Sequence, residues 1–452
     1  MHYHLTTFGC QMNEHDSERI RGVLEECGWR QSGDPEEADL LVFNTCSVRE
    51  SADSRLLGRL GEARRLKKER PERIVALGGC FAQNLQTRLF SDLPFLDIAF
   101  GPQNIGELPA LIDAVAGGCG PAWSFDDNPL PSASLPSRRL NQGRAWVQVM
   151  TGCTNFCSYC IVPMVRGPER SRPSSQIVDE VKSLIDDGVV EITLLGQNVN
   201  AYGLDLNTAS TVSENFTGLL SLLNDITDLQ RIRFTTSHPG DLGDDLIAAM
   251  RHLPKVCKHL HLPAQSGSNR ILTRMKRGYT REHYLELVEN LYAEVPGVAL
   301  TTDIIIGFPG EKEDDFHMTM KLAGKCRFDG AFTFLFSSRP GTEAADLPGR
   351  VPENTVKRRM RELLGLVQGI AAEKNEALIG SRLDIMIEGY SRHGDGLLRG
   401  RTSSNKIVNF RPLAQDGSCE PAGAVVSVEI ASATSTTLIG EQVNADGQRN
   451  PH

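Results

Sequence analysis

The stretch TGCTNFCSYC, Thr151–Cys160, places Cys153, Cys157 and Cys160 within eight positions, and no further cysteine follows until Cys257. A structural zinc site closes on four ligands, so a set of three is one short. Neither a histidine nor a fourth cysteine lies close by in sequence, although the distant His238 or His261 could serve in a zinc site. The other reading is an iron–sulfur cubane: three cysteines bind three of its irons and leave the fourth open to a small molecule. Both readings require thiolates.

Working outward, RAWVQVM precedes the triplet, and EITLLGQNVN, RIRFTTSHP, KHLHLPAQS, VALTTDIIIGFPGE and GAFTFLFSSRPG follow it. Amphipathic stretches such as SSQIVDEVKSLIDDG and REHYLELVENLYAEV separate these apolar runs. Strand alternating with helix in this way predicts an α/β fold with a central, partial (βα)6 TIM-like barrel. Polar residues stand just after the strands: Gln197 and Asn198, Ser237 and His238, Gln265 and Ser266, Asp303, Ser337 and Arg339. That is the face where βα barrels place their chemistry.

Residues 1–115 show the same alternation, with HLTTFGC, LLVFNTC and RIVALGGC as strands of an open parallel sheet. Each run ends in a cysteine, Cys10, Cys46 or Cys80, beside the small residues Gly9, Thr45, Gly78 and Gly79. Carboxyl ends of adjacent parallel strands converge, so the three thiols are expected to share a ligand. Residues 116–141, with Pro121, Pro129, Pro131 and Pro136, read as a linker. The barrel and a trailing basic helix, about Val356 to Leu378, occupy 142–375, and a small all-β module occupies 376–441. The tail, 442–452, is expected to be disordered.

No apolar run approaches the length of a membrane span and the polar start MHYHLTTFGC lacks the features of a signal peptide, so a cytoplasmic protein with no membrane partner is expected. In a reducing compartment the eleven cysteines point to metal binding or catalysis, not to a disulfide framework. A net charge of −9 argues weakly against nucleic acid, but local charge differs. Between 138 and 172 six arginines, Arg138, Arg139, Arg144, Arg166, Arg170 and Arg172, stand against the single Glu169. Arg55 to Arg73 and Lys357 to Arg361 are further basic runs, although such runs are more often solvated helix faces.

The C-x3-C-x2-C spacing, with Tyr159 immediately before the last cysteine and a barrel strand before the first, resembles the radical S-adenosylmethionine (SAM) signature. In that superfamily the open iron chelates SAM, and one electron cleaves it to methionine and a 5′-deoxyadenosyl radical. The segments GCTNFCSYCIVPMVRGPERSRP, GQNVNAYG, HLPAQSGSNRILTRMKRGYTREHY and TTDIIIGFPGE resemble the methylthiotransferase family, particularly its MiaB type, which modifies tRNA, over nearly the whole chain.

The resemblance implies an N-terminal α/β domain, a radical-SAM partial barrel and a C-terminal TRAM barrel associated with RNA binding. It also implies two [4Fe-4S] clusters, one on Cys153, Cys157 and Cys160 and an auxiliary one on Cys10, Cys46 and Cys80. The cluster ligands are the only catalytic residues it names. Tyr159, Gln197, Asn198, Ser237, Gln265 and Asp303 are implied contacts to SAM. Arg166, Arg170, Arg172 and Arg339, with Arg399, Arg401 and Lys406 of the TRAM module, are candidates for RNA phosphates.

The implied reaction inserts a methylthio group at C2 of N6-isopentenyladenosine, the base immediately 3′ of the anticodon at tRNA position 37. Implied partners are the tRNA anticodon stem-loop, an electron donor such as a flavodoxin or ferredoxin, and a sulfur donor, with the chain acting as a monomer. Met164 and Phe336 depart from the family pattern, Met164 where an aromatic is expected and Phe336 where tyrosine is common. Within the family, the alternative substrates are threonylcarbamoyladenosine in tRNA or a ribosomal-protein aspartate. Outside it stands a zinc-stabilised, non-catalytic RNA-binding protein. Cys27, Cys119, Cys257, Cys326 and Cys419 follow no such pattern and read as packing or incidental thiols.

Overall fold

Three apolar runs of the N-terminal region lie side by side as parallel strands, His2–Thr7 against Leu40–Thr45 and Leu40–Thr45 against Ile74–Gly79, in a computed structural model of the chain. The described residues are 1–46, 50–125, 135–139, 143–206, 214–392, 396–413 and 421–444, with the side chains of 50–55 left aside. They divide into two units: 1–140 with 150–156 and 160–170, and 141–149 with 157–159 and 171–452.

The sheet of the first unit is wholly parallel, in the order Arg30–Gln31, His2–Thr7, Leu40–Thr45, Ile74–Gly79, Ile98–Phe100, Ala122–Ser124. Leu40–Thr45 is buried at every position, as a strand covered on both faces must be. Tyr3, Leu5, Val42 and Ile98 pack with Ile20 and Leu24 of helix Gln11–Glu26 on one face. Leu41, Phe43, Val75 and Leu77 pack with Leu56, Leu60 and Leu66 of helix Glu50–Glu69 on the other. The order reverses between the first two long strands, which makes the gap after them a topological switch point.

Two parts of the sequence reading change here. The linker assigned to 116–141 contains the sixth strand of this sheet, Ala122–Ser124, because its main chain completes the ladder beside Ile98–Phe100. Further on, Arg138 N donates to Glu18 O at 2.8 Å and Arg19 Nη1 to Leu135 O at 2.9 Å, so this segment is packed on helix Gln11–Glu26. Gly22 permits the approach, since a Cβ there would lie 2.2 Å from Pro136 O.

The second unit holds the barrel as two parallel half-sheets, Arg144–Gln148, Glu191–Leu195 and Arg231–Phe234, then His259–His261, Ala299–Ile306 and Gly330–Leu335. A parallel bridge between Ile232 and Val256 links the halves. Side chains alternate along each strand. Ile232 and Phe234 are buried, with Phe234 edge-on to Phe216 of helix Phe216–Asn224, while Arg231 and Arg233 face the opposite way.

Helix Glu353–Glu376 leads into a closed five-stranded barrel, Arg382–Tyr390, Leu398–Arg401, Ile407–Arg411, Thr437–Gln442 and Val425–Ala433, consistent with the expected TRAM module. Its core includes Ile385, Ile387, Val408, Phe410 and Val428. The tail assigned to 442–452 begins inside this structure: Gln442 ends a strand and Val443 is buried, with Val443 N bonded to Ser427 O. Residues 445–452 lie outside the described residues.

Arg231 and Arg233 join the two barrels of this unit. Arg231 donates to Arg401 O and Asp384 O, and Arg233 to Thr402 O and Ser403 O, while Arg233 also pairs with buried Glu191 at 2.9 Å. Removing one partner of a buried ion pair costs about 3–5 kcal/mol, because the other charge is stranded. Arg233→Met is therefore expected to lower the amide-exchange free energy of strand Arg231–Phe234 by about that amount, and adding Glu191→Met to recover part of it. An exchange profile unchanged by Arg233→Met would refute the latch.

Candidate functional site

In the first unit the three cysteines stand at the carboxyl ends of three neighbouring strands. Cys10 caps helix Gln11–Glu26, Cys46 follows Thr45 directly, and Cys80 opens helix Cys80–Leu85. Glycine makes the cradle: Gly9 has φ +146 and Gly79 φ +92. A Cβ at Gly9 would lie 2.6 Å from Cys46 Cβ, and one at Gly79 would lie 2.5 Å from both Asn44 Oδ1 and Thr45 O.

Polar side chains fix the loops behind the thiols. Cys10 Sγ donates to Asn13 Oδ1 at 3.4 Å, Asn13 Nδ2 donates to Asn44 Oδ1 and Thr45 O, and Asn44 Nδ2 donates to Asn13 O and Ser17 Oγ. Thr45 Oγ1 donates to Gly78 O at 3.0 Å, which ties the second strand end to the third. The Cys10 thiol is drawn down to about 6, first by its hydrogen bond with Cys46, against burial, and then by the charge of Arg166. Burial pushes Cys80 up, with Arg166 opposing.

Arg166 is a correction to the sequence reading, which offered it to RNA phosphates. It is 4% exposed, donates Nε to Cys80 Sγ at 3.3 Å and pairs through Nη2 with Asp16, also 4% exposed, at 2.7 Å. Burial disfavours the Asp16 carboxylate, yet Arg166 and His15 hold its pKa below the ordinary value. Gln103 Nε2 donates to Arg166 O, so the backbone that carries the guanidinium is held as well. An arginine sealed from solvent and paired this way is out of reach of a phosphate at the surface.

The cysteine loop contributes to both units. In the first, Cys153 N bonds Gly167 O at 3.1 Å and Asn155 Nδ2 donates to Cys153 Sγ at 3.5 Å. Gly152 sits at φ +76 where a Cβ would lie 1.9 Å from Pro168 O. In the second, Ser158 N and Oγ bond Met275 O and Arg274 O, and Tyr159 packs edge-on to Phe308, 6.4 Å between ring centroids. Phe336 joins that aromatic cluster, 5.3 Å from Phe308, so the place where tyrosine is common serves packing here.

Four of the six expected SAM contacts leave a buried side-chain atom without a protein partner: Gln197 Oε1, Asn198 Oδ1, Ser237 Oγ and Gln265 Oε1. Buried polar atoms are normally bonded, so four such atoms at the ends of successive strands make this rim a candidate site for a polar ligand. The backbone is strained alongside: Thr236 has φ 71 and Gln265 φ 61, unusual for residues with side chains. Asn198 Nδ2 is anchored to Asp241 at 2.7 Å. Asp303 differs from the four, since it faces His261 Nε2 at 3.4 Å.

His238 belongs with this rim. Its Nδ1 accepts from Gly240 N, burial and then Arg277 lower its pKa to about 3, and the neutral ring is left with an unpartnered Nε2–H. The ring lies 5.6 Å from Tyr279, whose hydroxyl donates to Pro263 O and Ala264 O and accepts from Arg277 Nε. Arg277 Nη1 in turn donates to Cys157 Sγ at 3.3 Å. Sequence reading missed Arg277 and Asp16, because a charged residue inside a matched segment carries no sign of its burial.

As the side chains stand, no three His, Cys, Asp or Glu among the described residues are disposed to hold a single metal ion. A cubane asks for a wider spread, each thiolate on its own iron. His261 Nδ1 is bonded to Thr301 and its Nε2 faces Asp303 at 3.4 Å, while His238 Nδ1 accepts from Gly240 N. No disulfide joins the described cysteines; Cys257 and Cys326 are buried, Cys27 and Cys119 are exposed, and Cys419 lies outside the described residues.

Other expected RNA contacts are also engaged internally. Arg401 pairs with Glu388 and Asn405, Lys406 with Asp329 and Asn375, Arg172 with Glu180, and Arg399 faces Glu388 at 3.3 Å. Arg170 remains exposed.

Residues 147–323 match the model of the radical SAM superfamily, and residues 2–101 match that of the uncharacterized protein family UPF0004. In the solved structures, the chain is similar to the radical SAM methyltransferase TsrM of Kitasatospora setae, with a TM-score of 0.56 at 15% identity over 76% of this chain and 75% of that one. OxsB, a cobalamin-dependent SAM radical enzyme, aligns with a TM-score of 0.52 at 12% identity over 81% and 56%. These likenesses speak for the fold.

Sequence relatives speak for the family. The tRNA-2-methylthio-N(6)-dimethylallyladenosine synthase of Caldicellulosiruptor saccharolyticus is 46% identical over 98% of this chain and 92% of its own. The synthases of that name from Moorella thermoacetica and Syntrophomonas wolfei are 43% and 46% identical, each over 98% of both chains. With a radical-SAM barrel, a thiol-lined α/β domain and full-length relatives at this identity, the chain belongs to the tRNA-2-methylthio-N(6)-dimethylallyladenosine synthase family.

Proposed function

We propose that this protein is a radical-SAM tRNA methylthiotransferase that converts N6-isopentenyladenosine at position 37 to its 2-methylthio derivative. The full-length likeness to synthases of that name carries the reading. The unpartnered atoms of Gln197, Asn198, Ser237 and Gln265 support it, because SAM offers amino, carboxylate, ribose and adenine groups to bond them. No helix among the described residues is long and apolar enough to cross a membrane.

Cys153, Cys157 and Cys160 would hold one [4Fe-4S] cluster and Cys10, Cys46 and Cys80 a second. When bound, the first would supply the electron for reductive cleavage of SAM and the second a sulfur to be methylated and transferred. The chain's own residues bind and orient. Ser237 Oγ and the His238 Nε2–H would donate to acceptors of SAM, and Asn198, fixed by Asp241, would present its carbonyl oxygen to a donor. Neutral His238 adds no charge to repel the sulfonium. Asn13 and Asn44 keep the loops of Cys10 and Cys46 in register, and Thr45 does the same for the strand before Cys80. The tRNA anticodon stem-loop is the macromolecular partner in this reading, with a low-potential electron donor and a sulfur donor completing the set.

Anaerobically reconstituted protein is expected to hold roughly eight irons per chain with matching sulfide, and Cys80→Ala roughly four. That variant should still form 5′-deoxyadenosine from SAM while yielding no methylthiolated nucleoside. Colourless protein with bound zinc would instead favour the RNA-binding alternative. In a deletion strain, mass spectrometry of tRNA nucleosides should show 2-methylthio-isopentenyladenosine lost and isopentenyladenosine accumulated; an unchanged level sinks the substrate assignment.

Loss of one hydrogen bond costs about 1 kcal/mol, so Ser237→Ala should weaken SAM binding roughly fivefold. Calorimetry on cluster-loaded protein measures it, and unaltered affinity with unaltered cluster absorbance would remove Ser237 from the SAM site.

A further inference from the structure

Each cysteine set has one sulfur that accepts a hydrogen bond from a buried arginine, but the two arginines differ in what balances their charge. Arg166 touches Cys80 and is neutralised beside it by Asp16 at 2.7 Å. Arg277 donates to Cys157 Sγ at 3.3 Å, to the Tyr279 hydroxyl at 3.2 Å and to Pro263 O at 3.4 Å, with the Tyr279 ring centroid 5.3 Å from its guanidinium carbon. None of these partners is a carboxylate.

A guanidinium cannot shed its proton in a protein, and an uncompensated buried charge costs several kcal/mol. The counter-anion has to come from what binds beside it. In the proposed function that anion is the thiolate-held cubane on Cys157, because three thiolates leave an oxidised cubane anionic. We infer that Arg277 is the counter-ion of the Cys157-bound cluster and sets its reduction potential, whereas Arg166, already paired, acts on the Cys80-bound cluster as a hydrogen-bond donor only. The inference rests on the proposed assignment of clusters to the two cysteine sets.

Reduction adds one electron from a low-potential donor to the cubane and transfers no proton or ligand. The anion gains charge, so an unpaired cation at its sulfur favours the reduced state and raises the potential. An arginine–carboxylate pair has no net charge and does less. Tuning of this kind by hydrogen bonds to sulfur and local charge is within the protein's control of a cluster.

The test isolates each cluster by replacing the other set of three cysteines with alanine, then follows an anaerobic dithionite titration by electron paramagnetic resonance. With Cys10, Cys46 and Cys80 replaced, Arg277→Gln is expected to lower the midpoint by at least a tenfold change in the reduction equilibrium, 59 mV for one electron. Arg277→Lys, which keeps the charge, should stay within threefold of the parent. With Cys153, Cys157 and Cys160 replaced, Arg166→Gln should shift the other cluster by less than Arg277→Gln shifts its own.

A cubane signal in Arg277→Gln that titrates at the parental midpoint, or an equal shift from Arg166→Gln, overturns the inference and leaves the proposed function standing. Should Arg277→Gln retain no iron, Arg277→Lys decides: a midpoint within threefold of the parent supports charge balance, and a tenfold shift or equal loss of iron overturns it. Parents that bind no iron overturn the proposed function itself.

Discussion

Parallel strands joined by helical crossovers must all point their carboxyl ends to the same edge of the sheet, and both candidate sites follow from that constraint. In the first unit it brings Cys10, Cys46 and Cys80 to three adjacent strand ends, two of them flanking the point where strand order reverses. In the second it gathers Gln197, Ser237 and Gln265 on the rim of a partial barrel. The helices that enforce the crossovers also cover the strand faces with apolar side chains. Gln197, Asn198, Ser237 and Gln265 thereby stand at the edge that no helix covers, each with a buried polar atom that lacks a protein partner.

At that edge the next limit is the cost of buried charge. A thiolate set away from water needs positive charge or donors nearby, and each unit answers with an arginine held in place by further hydrogen bonds. Gln103 holds the carbonyl of Arg166, while Tyr279 and the Pro263 carbonyl hold the guanidinium of Arg277. Burial first, and then the charge of Arg277, keep His238 neutral, so the rim carries hydrogen-bonding groups without a second cation. Small residues at the turns are part of this arrangement, because Gly9 and Gly79 admit thiols and carbonyls to places a Cβ would fill.

Strand runs ending in cysteine, and polar pairs just after strands, were legible because period and position both report on the backbone. The three-module architecture and the convergence of the N-terminal cysteines followed directly. Burial of charged side chains was not legible. Arg166 and Arg170 are four positions apart in one basic segment, yet Arg166 is sealed against Asp16 and Arg170 is exposed. Nothing local distinguishes them, since the partner lies 150 residues earlier in the chain. The short strand Ala122–Ser124 escaped for a related reason: three residues in a proline-rich surround carry too little periodicity to outweigh the composition, and only the waiting ladder of Ile98–Phe100 makes them a strand.

Six strands leave a βα barrel open, and the way this one is closed at its base bears on what can enter it. Arg231 and Arg233 reach the carbonyls of Thr402 and Ser403 in the TRAM barrel, and Arg144 reaches Glu388, so the start of the first half-sheet is covered from below. Farther along the strands the lumen is less filled: Thr301, Asp303 and Ile305 are half-buried where a closed barrel would seal them, and Phe332 is 57% exposed. The exposed Phe332 ring lies edge-on to His261, 5.9 Å between centroids, beside the His261–Asp303 pair. A covered base and an open upper wall leave the strand carboxyl ends as the approach to the rim formed by Gln197, Ser237 and Gln265.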